Sequence, residues 1–368
     1  MKKTRFMMVG GFLGAGKTTT LAWLARHFQE QGKTVGVITN DQADDLVDTM
    51  TMRCLGLNVQ QVGGACFCCK FDELVDRIQR LGTAPDIILA EPVGSCTDLV
   101  ATVVRPLRRL YGDFISVAPF PVIFKPSHGM DALLGQPGGL SVDGAYIFRK
   151  QLEEADVLVI NRVDQLSPAD VEAMRARMDE VFHGVPLLAV SARTGQGMTE
   201  LASLLEQESG VAQRVLSLDY DRYAAGEAEM GWLNHTFRVS SAQAFSLDAV
   251  LLRLLERLAV LCAEQRADIA HIKAVGLTPV ASALVNHVGG ATAPQLSRAS
   301  GAMPLTADVV LNARVSTGPD ALTTFTRQAL LDVAQEWGLQ VQPGRMQSLS
   351  PGRPQPTHRD GVGAVGAP

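Results

Sequence analysis

Residues Gly11-Phe12-Leu13-Gly14-Ala15-Gly16-Lys17-Thr18 spell G-x-x-x-x-G-K-[ST], a backbone loop that wraps nucleotide phosphates. This octet constrains the fold most, because it works only between a buried strand and a helix. Both flanks are present. Phe6, Met7, Met8 and Val9 form a short apolar run suited to a central parallel strand, and Leu21, Leu24, Ala25 and Phe28 recur on one helical face. Gly11, Gly14 and Gly16 let backbone N–H groups and the helix N-terminus face phosphate oxygens. Lys17 reaches the β- and γ-phosphates, and Thr18 offers its hydroxyl to magnesium. Ala15 and Thr19 belong to the same phosphate-binding stretch. The alternative is an ordinary glycine-rich turn before a helix.

Strand and helix patterns then alternate to about residue 208. Strands are expected at 34–39, 58–62, 86–90, 116–124, 156–160 and 186–190, and an amphipathic helix at 71–81. The expected fold is α/β, a doubly wound, mostly parallel sheet over 1–208 with ligands at the C-terminal ends of its strands. Residues 209–231 read as a connection. A smaller C-terminal α+β domain is expected over 232–341, with strands at 232–240, 268–275, 283–288 and 307–315. Its helices are expected on one face, around Leu247–Leu261 spacing and at 320–337. The Pro/Gly-rich segment 342–368 has too little apolar content to fold and is expected to be disordered.

The 368 residues carry 46% hydrophobic and 19% charged side chains, a globular balance long enough for two domains. A net charge of −5 gives no basic footprint for a phosphate backbone, so no nucleic acid partner is expected. No apolar run reaches membrane-spanning length, so no membrane association is expected. The opening Met1-Lys2-Lys3 and its apolar patch run straight into Lys17, which reads as a cytoplasmic protein rather than a secreted one. Of six cysteines, three fall within four residues. In a reducing compartment such crowding points to metal or redox chemistry.

Glu91-Pro92-Val93-Gly94 closes the 86–90 strand, where a nucleotide enzyme needs a carboxylate near magnesium and a backbone N–H to sense the γ-phosphate. Alone it reads equally as a strand-ending turn. Asp41, similarly placed, either completes the magnesium shell through water or caps a helix. Asn161-Arg162-Val163-Asp164 is similar to the guanine-specifying Asn-Lys-x-Asp. Its carboxylate accepts from guanine N1–H and the exocyclic amine, whereas adenine would leave it unpaired. Ser191-Ala192-Arg193 falls where a loop meets the guanine oxygen.

Cys66-Phe67-Cys68-Cys69 follows Gly63-Gly64 and can supply soft sulfur ligands to zinc, cobalt or copper(I). The alternatives are a set of small buried hydrophobes or a Cys66–Cys68 disulfide. Three ligands leave a fourth position open, which suits transfer better than a closed structural site. Cys96 lies just past Gly94 and can approach the cluster, whereas Cys54 and Cys262 read as core. His235, His271 and His287 fall on expected second-domain strands, as a second metal site or as plain strand residues.

With the phosphate loop, Cys66-Phe67-Cys68-Cys69, Glu91-Pro92-Val93-Gly94 and Asn161-Arg162-Val163-Asp164 in this order, the chain resembles the CobW-type GTPases, relatives of the accessory GTPases for urease and hydrogenase maturation. The resemblance covers residues 5 to about 208 firmly and the second domain loosely. It implies a GTP-hydrolysing metallochaperone. Lys17, Thr18 and Glu91 would be catalytic, and Asn161, Asp164, Ser191 and Ala192 would meet the base. Magnesium would lie near Thr18, Asp41 and Glu91, and Zn2+ or Co2+ on Cys66, Cys68 and Cys69. The implied partners are a client metalloprotein and a second copy in a nucleotide-dependent homodimer. Cobalt delivery for cobalamin synthesis or a cobalt enzyme is one alternative, and a thiol redox-sensing GTPase another. Arg162 stands where the family commonly has Lys, Asp41-Gln42-Ala43 lacks the Gly often found in the first switch, and no His-rich loop of a metal store is present.

Overall fold

The computed structural model describes residues 3–41, 47–82, 85–126, 133, 140–208, 212, 214–289 and 293–361. The chain divides into two compact units. The first is Met1–Gln42, Leu55–Gly226 and Arg353–Pro368, and the second is Ala43–Cys54 and Glu227–Gly352.

In the first unit, strands β1 (Thr4–Met8), β2 (Gly10–Gly11), β3 (Val35–Asn40), β4 (Asn58–Val62), β5 (Ile87–Glu91), β6 (Ile115–Val117), β7 (Pro121–Phe124), β8 (Val157–Ile160) and β9 (Leu187–Ala189) pair in the orders β4-β3-β5-β1-β6 and β2-β7-β8-β9. Every pairing is parallel. Strands β3, β5, β7 and β8 are buried at every residue, as strands covered on both faces require. This is the expected parallel α/β architecture. The expected strand 116–124 is split between the two sheets as β6 and β7. Pro119 and Pro121 lack the N–H that an unbroken ladder needs.

Helices of this unit are α1 (Lys17–Glu30), α3 (Phe71–Gln79), α4 (Arg105–Tyr111), α5 (Val142–Glu153), α6 (Pro168–Val181), α7 (Met198–Leu205) and α8 (Tyr220–Ala228), the last reaching into the second unit's range. Helix α8 lies inside the expected connection 209–231, so that stretch is partly helical. Residues 209–211 and 213 lie outside the described residues.

The second unit is a six-stranded antiparallel sheet, β13-β12-β11-β14-β10-β15. Its strands are β10 (Gly231–Ser240), β11 (Ile269–Leu277), β12 (Ser282–His287), β13 (Gln295–Arg298), β14 (Thr306–Val315) and β15 (Gln340–Leu349). Helices α9 (Leu247–Glu264) and α10 (Pro319–Trp337) bury Leu251, Leu255, Leu258 and Leu322 against Ala274, Val309 and Leu311 on one face. Side chains alternate across a strand, so Val275 and Val310 face the other way. There they meet Val47 of α2 (Val47–Cys54). The Val47 N–H donates to Asn312 Oδ1 at 2.8 Å and Lys273 pairs with Asp48 at 2.7 Å. Helices therefore cover both faces, not the one expected. Residues 42–46 lie outside the described residues.

The tail expected to be disordered from 342 instead forms most of β15 and then returns to the first unit. Strand β15 is an edge strand, where a proline is tolerated. Pro343 sits beside the register shift between His235 and Phe237. Its half-exposed pattern explains the low apolar content. Residues 362–368 lie outside the described residues.

Candidate nucleotide loop and metal centre

Gly16 caps α1 with φ at 102°, a left-handed conformation that favours glycine, and a Cβ there would lie 2.4 Å from Asn161 Nδ2. Lys17 Nζ donates to the Gly11 carbonyl at 2.8 Å, inside the loop. Gly94 is pressed onto the same group: a Cβ would sit 2.9 Å from Lys17 Nζ. Thr18 Oγ1 donates to Glu91 Oε1 at 2.9 Å. The phosphate loop and the end of β5 are thus brought together. Thr19 is exposed on the first turn of α1. Asp41 follows β3, and its amide donates to Val62 O at 3.2 Å, in the segment leading to the thiols.

The base-end motifs also converge. Asn161 Nδ2 donates to Ala15 O at 2.8 Å, while Asn161 Oδ1 accepts from the N–H of Arg162 at 2.8 Å and of Ala192 at 3.1 Å. One side chain therefore ties three loops. Arg162 takes φ 65°, and its guanidinium donates to Gly14 O at 2.9 Å, on the phosphate loop. Ser191 Oγ donates to Asp164 Oδ1 at 2.7 Å, and Arg193 reaches Asp164 Oδ2 at 2.5 Å. Burial works to raise the Asp164 pKa, but the Ser191 and Arg193 hydrogen bonds hold it below the usual carboxylate value. It stays an anion with lone pairs to spare. Lys125, directly after β7, escaped the motif reading. Burial and then the charge of Arg162 push its pKa down to about 7.

The thiol loop turns tightly into α3, with the N–H groups of Cys69 and Lys70 both donating to Cys66 O at 3.0 Å. Its sulfurs stand 2.9 Å (Cys66–Cys68), 3.2 Å (Cys66–Cys69) and 3.7 Å (Cys68–Cys69) apart. All six cysteines are free of disulfides. Thiolates bound to zinc at about 2.3 Å and tetrahedral angles lie roughly 3.8 Å apart, so the cluster needs to open by less than about 1 Å to hold one ion. Hydrogen bonds from Cys68, Cys69 and Cys96 hold the Cys66 pKa well below the ordinary thiol value. The Cys66 hydrogen bond raises Cys68 well above it and takes Cys69 up to about 11. Metal binding must expel the protons these sulfurs share.

Two supports of this loop, and one of the neighbouring Gly94–Cys96 loop, carry no motif. Asn40 at the end of β3 donates to Val62 O and Ala65 O at 3.0 and 2.8 Å and accepts the Phe67 N–H at 2.8 Å. Gln151 of α5 donates to Gly94 O at 3.0 Å and Cys96 O at 2.8 Å. The returning tail crosses the cluster. The Gln355 N–H donates to Cys69 Sγ at 3.2 Å, and the Thr357 N–H to Cys68 O at 2.8 Å. Only position at a strand end could have flagged Asn40, and nothing flagged the tail.

The three histidines do not converge. His235, His271 and His287 are buried on separate strands, and among the described residues only Cys66, Cys68 and Cys69 bring three ligand atoms within 4.8 Å of one another. Burial and then Arg327 lower the His235 pKa to about 4, so it is a neutral core residue.

Comparison with known proteins places this geometry in a family. A family model described as the CobW/HypB/UreG nucleotide-binding domain matches residues 5–188. The urease accessory protein UreG 2 of Bradyrhizobium sp. is 30% identical over 215 residues, 54% of this chain and 89% of that protein. The zinc chaperone YeiR of Escherichia coli is 26% identical over 178 residues, 47% of this chain, and the match spans only 50% of YeiR. Among solved structures, the hydrogenase maturation factor HypB from Archaeoglobus fulgidus aligns with 55% of this chain and 89% of its own, at 18% identity and a TM-score of 0.40. No helix among the described residues is long and apolar enough to cross a membrane. The phosphate loop, Asn161 itself and the thiol turn all fall within the matched segment, and the chain belongs to the CobW/HypB/UreG family of nucleotide-binding proteins.

Proposed function

We propose that the protein binds and hydrolyses magnesium-GTP and uses that cycle to load zinc on Cys66, Cys68 and Cys69 and release it to a client metalloprotein. The observation that carries this is Asn40. It is adjacent to Asp41 at the nucleotide end of β3, and its amide holds both sides of the thiol loop. The relatives named as urease accessory protein and zinc chaperone support the same reading. A free-thiol set suits a reducing, cytoplasmic setting.

In this scheme Lys17 exchanges its bond to Gly11 O for phosphate oxygens, and its charge offsets theirs. Thr18 and Glu91, already hydrogen-bonded to each other, would hold magnesium, with Asp41 available through water. Magnesium supplies charge neutralisation at the β- and γ-phosphates. Asp164 accepts from guanine N1–H and amine, while Ser191 and Arg193 keep it ionised. Gly94 offers its N–H to the γ-phosphate, beside Lys17.

The test is a metal-chelator competition on reduced protein at saturating GDP and at saturating non-hydrolysable GTP. Zinc affinity is expected to differ between the two by about 5- to 150-fold, the ordinary range of such coupling, and the same factor must appear in the preference for GTP over GDP. Cys68→Ser is expected to weaken zinc and shrink this linkage. Equal affinities in both states would remove the coupling, and metal-free protein with three titratable thiols would return the cluster to redox sensing.

A further inference from the structure

Three thiols leave a soft tetrahedral ion one ligand short. Among the described residues no further ligand atom, the Cys96 sulfur included, lies within 4.8 Å of all three of Cys66, Cys68 and Cys69. The donor standing beside Cys66, and needing to close on the other two sulfurs, is another thiol: Cys96, 2% exposed, hydrogen-bonds Cys66. It comes from a different loop. The Cys96 N–H donates to Val93 O at 3.0 Å, closing a turn directly after Glu91 and Pro92. The Gln151 amide grips the carbonyls of Gly94 and Cys96 together. Gly94 and Cys96 therefore move as one piece, and Gly94 is the residue pressed on Lys17.

We propose that Cys96 is the fourth ligand of the metal, giving a four-thiolate site in which one ligand is carried by the loop that contacts the phosphate-binding lysine. This rests on the reading of Cys66, Cys68 and Cys69 as the metal site. On loading, Cys96 loses its S–H proton to solvent as its sulfur–metal bond forms. Four thiolates make a closed shell that no client ligand can enter. Cys96 is the ligand that a displacement of Gly94 removes. The Cys96–metal bond then breaks, the thiolate takes up a proton, and a client thiolate or imidazole occupies the vacated position. Gln151 is the positioning residue that transmits the displacement.

The experiment is X-ray absorption on zinc-loaded, reduced, full-length protein, read as the number of sulfurs around zinc with GDP and with a non-hydrolysable GTP analogue. Four sulfurs in at least one nucleotide state are expected in the wild type, falling to three sulfurs and one oxygen or nitrogen in Cys96→Ser. Zinc affinity in that nucleotide state should fall by at least about tenfold in the variant. A cooperative thermal transition establishes that the variant is folded, and the wild-type count stands without any variant. Three sulfurs in the wild type in both states, or a fourth sulfur that survives Cys96→Ser, would overturn the assignment of Cys96 alone. A wild type that binds no zinc would overturn the metal reading beneath it.

Discussion

The phosphate loop and the thiol loop are both turns between a parallel strand and a helix, yet they are prepared for their ligands in opposite ways. In the phosphate loop the polar groups are already engaged in hydrogen bonds: Lys17 donates to Gly11 O, and Thr18 to Glu91. For Lys17, phosphate arrival would exchange one oxygen acceptor for another. In the thiol loop the sulfurs hold each other through shared protons, at 2.9 to 3.7 Å. Those protons must leave before an ion can enter. The first site is organised by geometry, and the second becomes organised by what it binds.

The largest effect that would separate the two sites is expected from Lys17→Ala. Loss of the ammonium should lower GTP hydrolysis by at least about 10²- to 10³-fold, while zinc affinity of nucleotide-free protein stays at the wild-type value. Parallel nucleotide-turnover and chelator titrations check both halves. If zinc binding collapsed too, the loops would not be separable. Next comes Asp164→Asn, which turns one acceptor into a donor facing guanine. The preference for GTP over ATP in a competition assay should fall by about 10²-fold. A wild type that binds both equally would remove Asp164 as the base reader.

Acidity sharpens the comparison through Glu154, which anchors the chain beyond Cys96. Its carboxylate meets Thr97 Oγ1 at 3.2 Å and the Val100 N–H at 3.1 Å. Burial pushes its pKa up to about 8. The native state therefore holds this proton more tightly than the unfolded chain, whose Glu titrates near about 4.3. Its contribution is complete below that value and is lost as pH rises toward 8. Each pH unit in the window removes up to about 1.4 kcal/mol. Urea midpoints at successive pH values should show this decline, and Glu154→Gln should flatten it. The smallest effect is expected from Thr357→Ala, which deletes the hydroxyl bond to Cys69 O at 3.2 Å. An exposed bond of this kind contributes less than about 1 kcal/mol, so alkylation of Cys69 should quicken only a few-fold.

Legibility followed the same division. Phosphates are held largely by contiguous backbone, so eight adjacent residues disclosed the loop, and Asn161, Asp164 and Ser191 stood at the ends of strands where ligands gather. The supports of the thiol loop and of the neighbouring Gly94–Cys96 loop were hidden because their partners are remote in sequence. Gln151 serves carbonyls at Gly94 and Cys96, and Asn40 serves Ala65 and Phe67. Helix α2 was hidden for the same reason. Its eight residues are fixed by Asn312 and Lys273, not by a periodic pattern of their own. Strand β15 failed a composition test that applies to central strands, whereas Pro343 and Gly344 are acceptable at an edge.

The tail across the thiols also sets an order of events during synthesis. Gln355 caps Cys69 from 286 residues further along the chain. At about 5 to 20 residues per second, a nascent chain waits roughly 15 to 60 s between making that cysteine and making its cover. Throughout that interval the cysteines meet the cell's metals and oxidants without it. Occupancy of the site is thus open to being decided on the ribosome, by whichever soft ion or thiol reagent arrives before translation is complete.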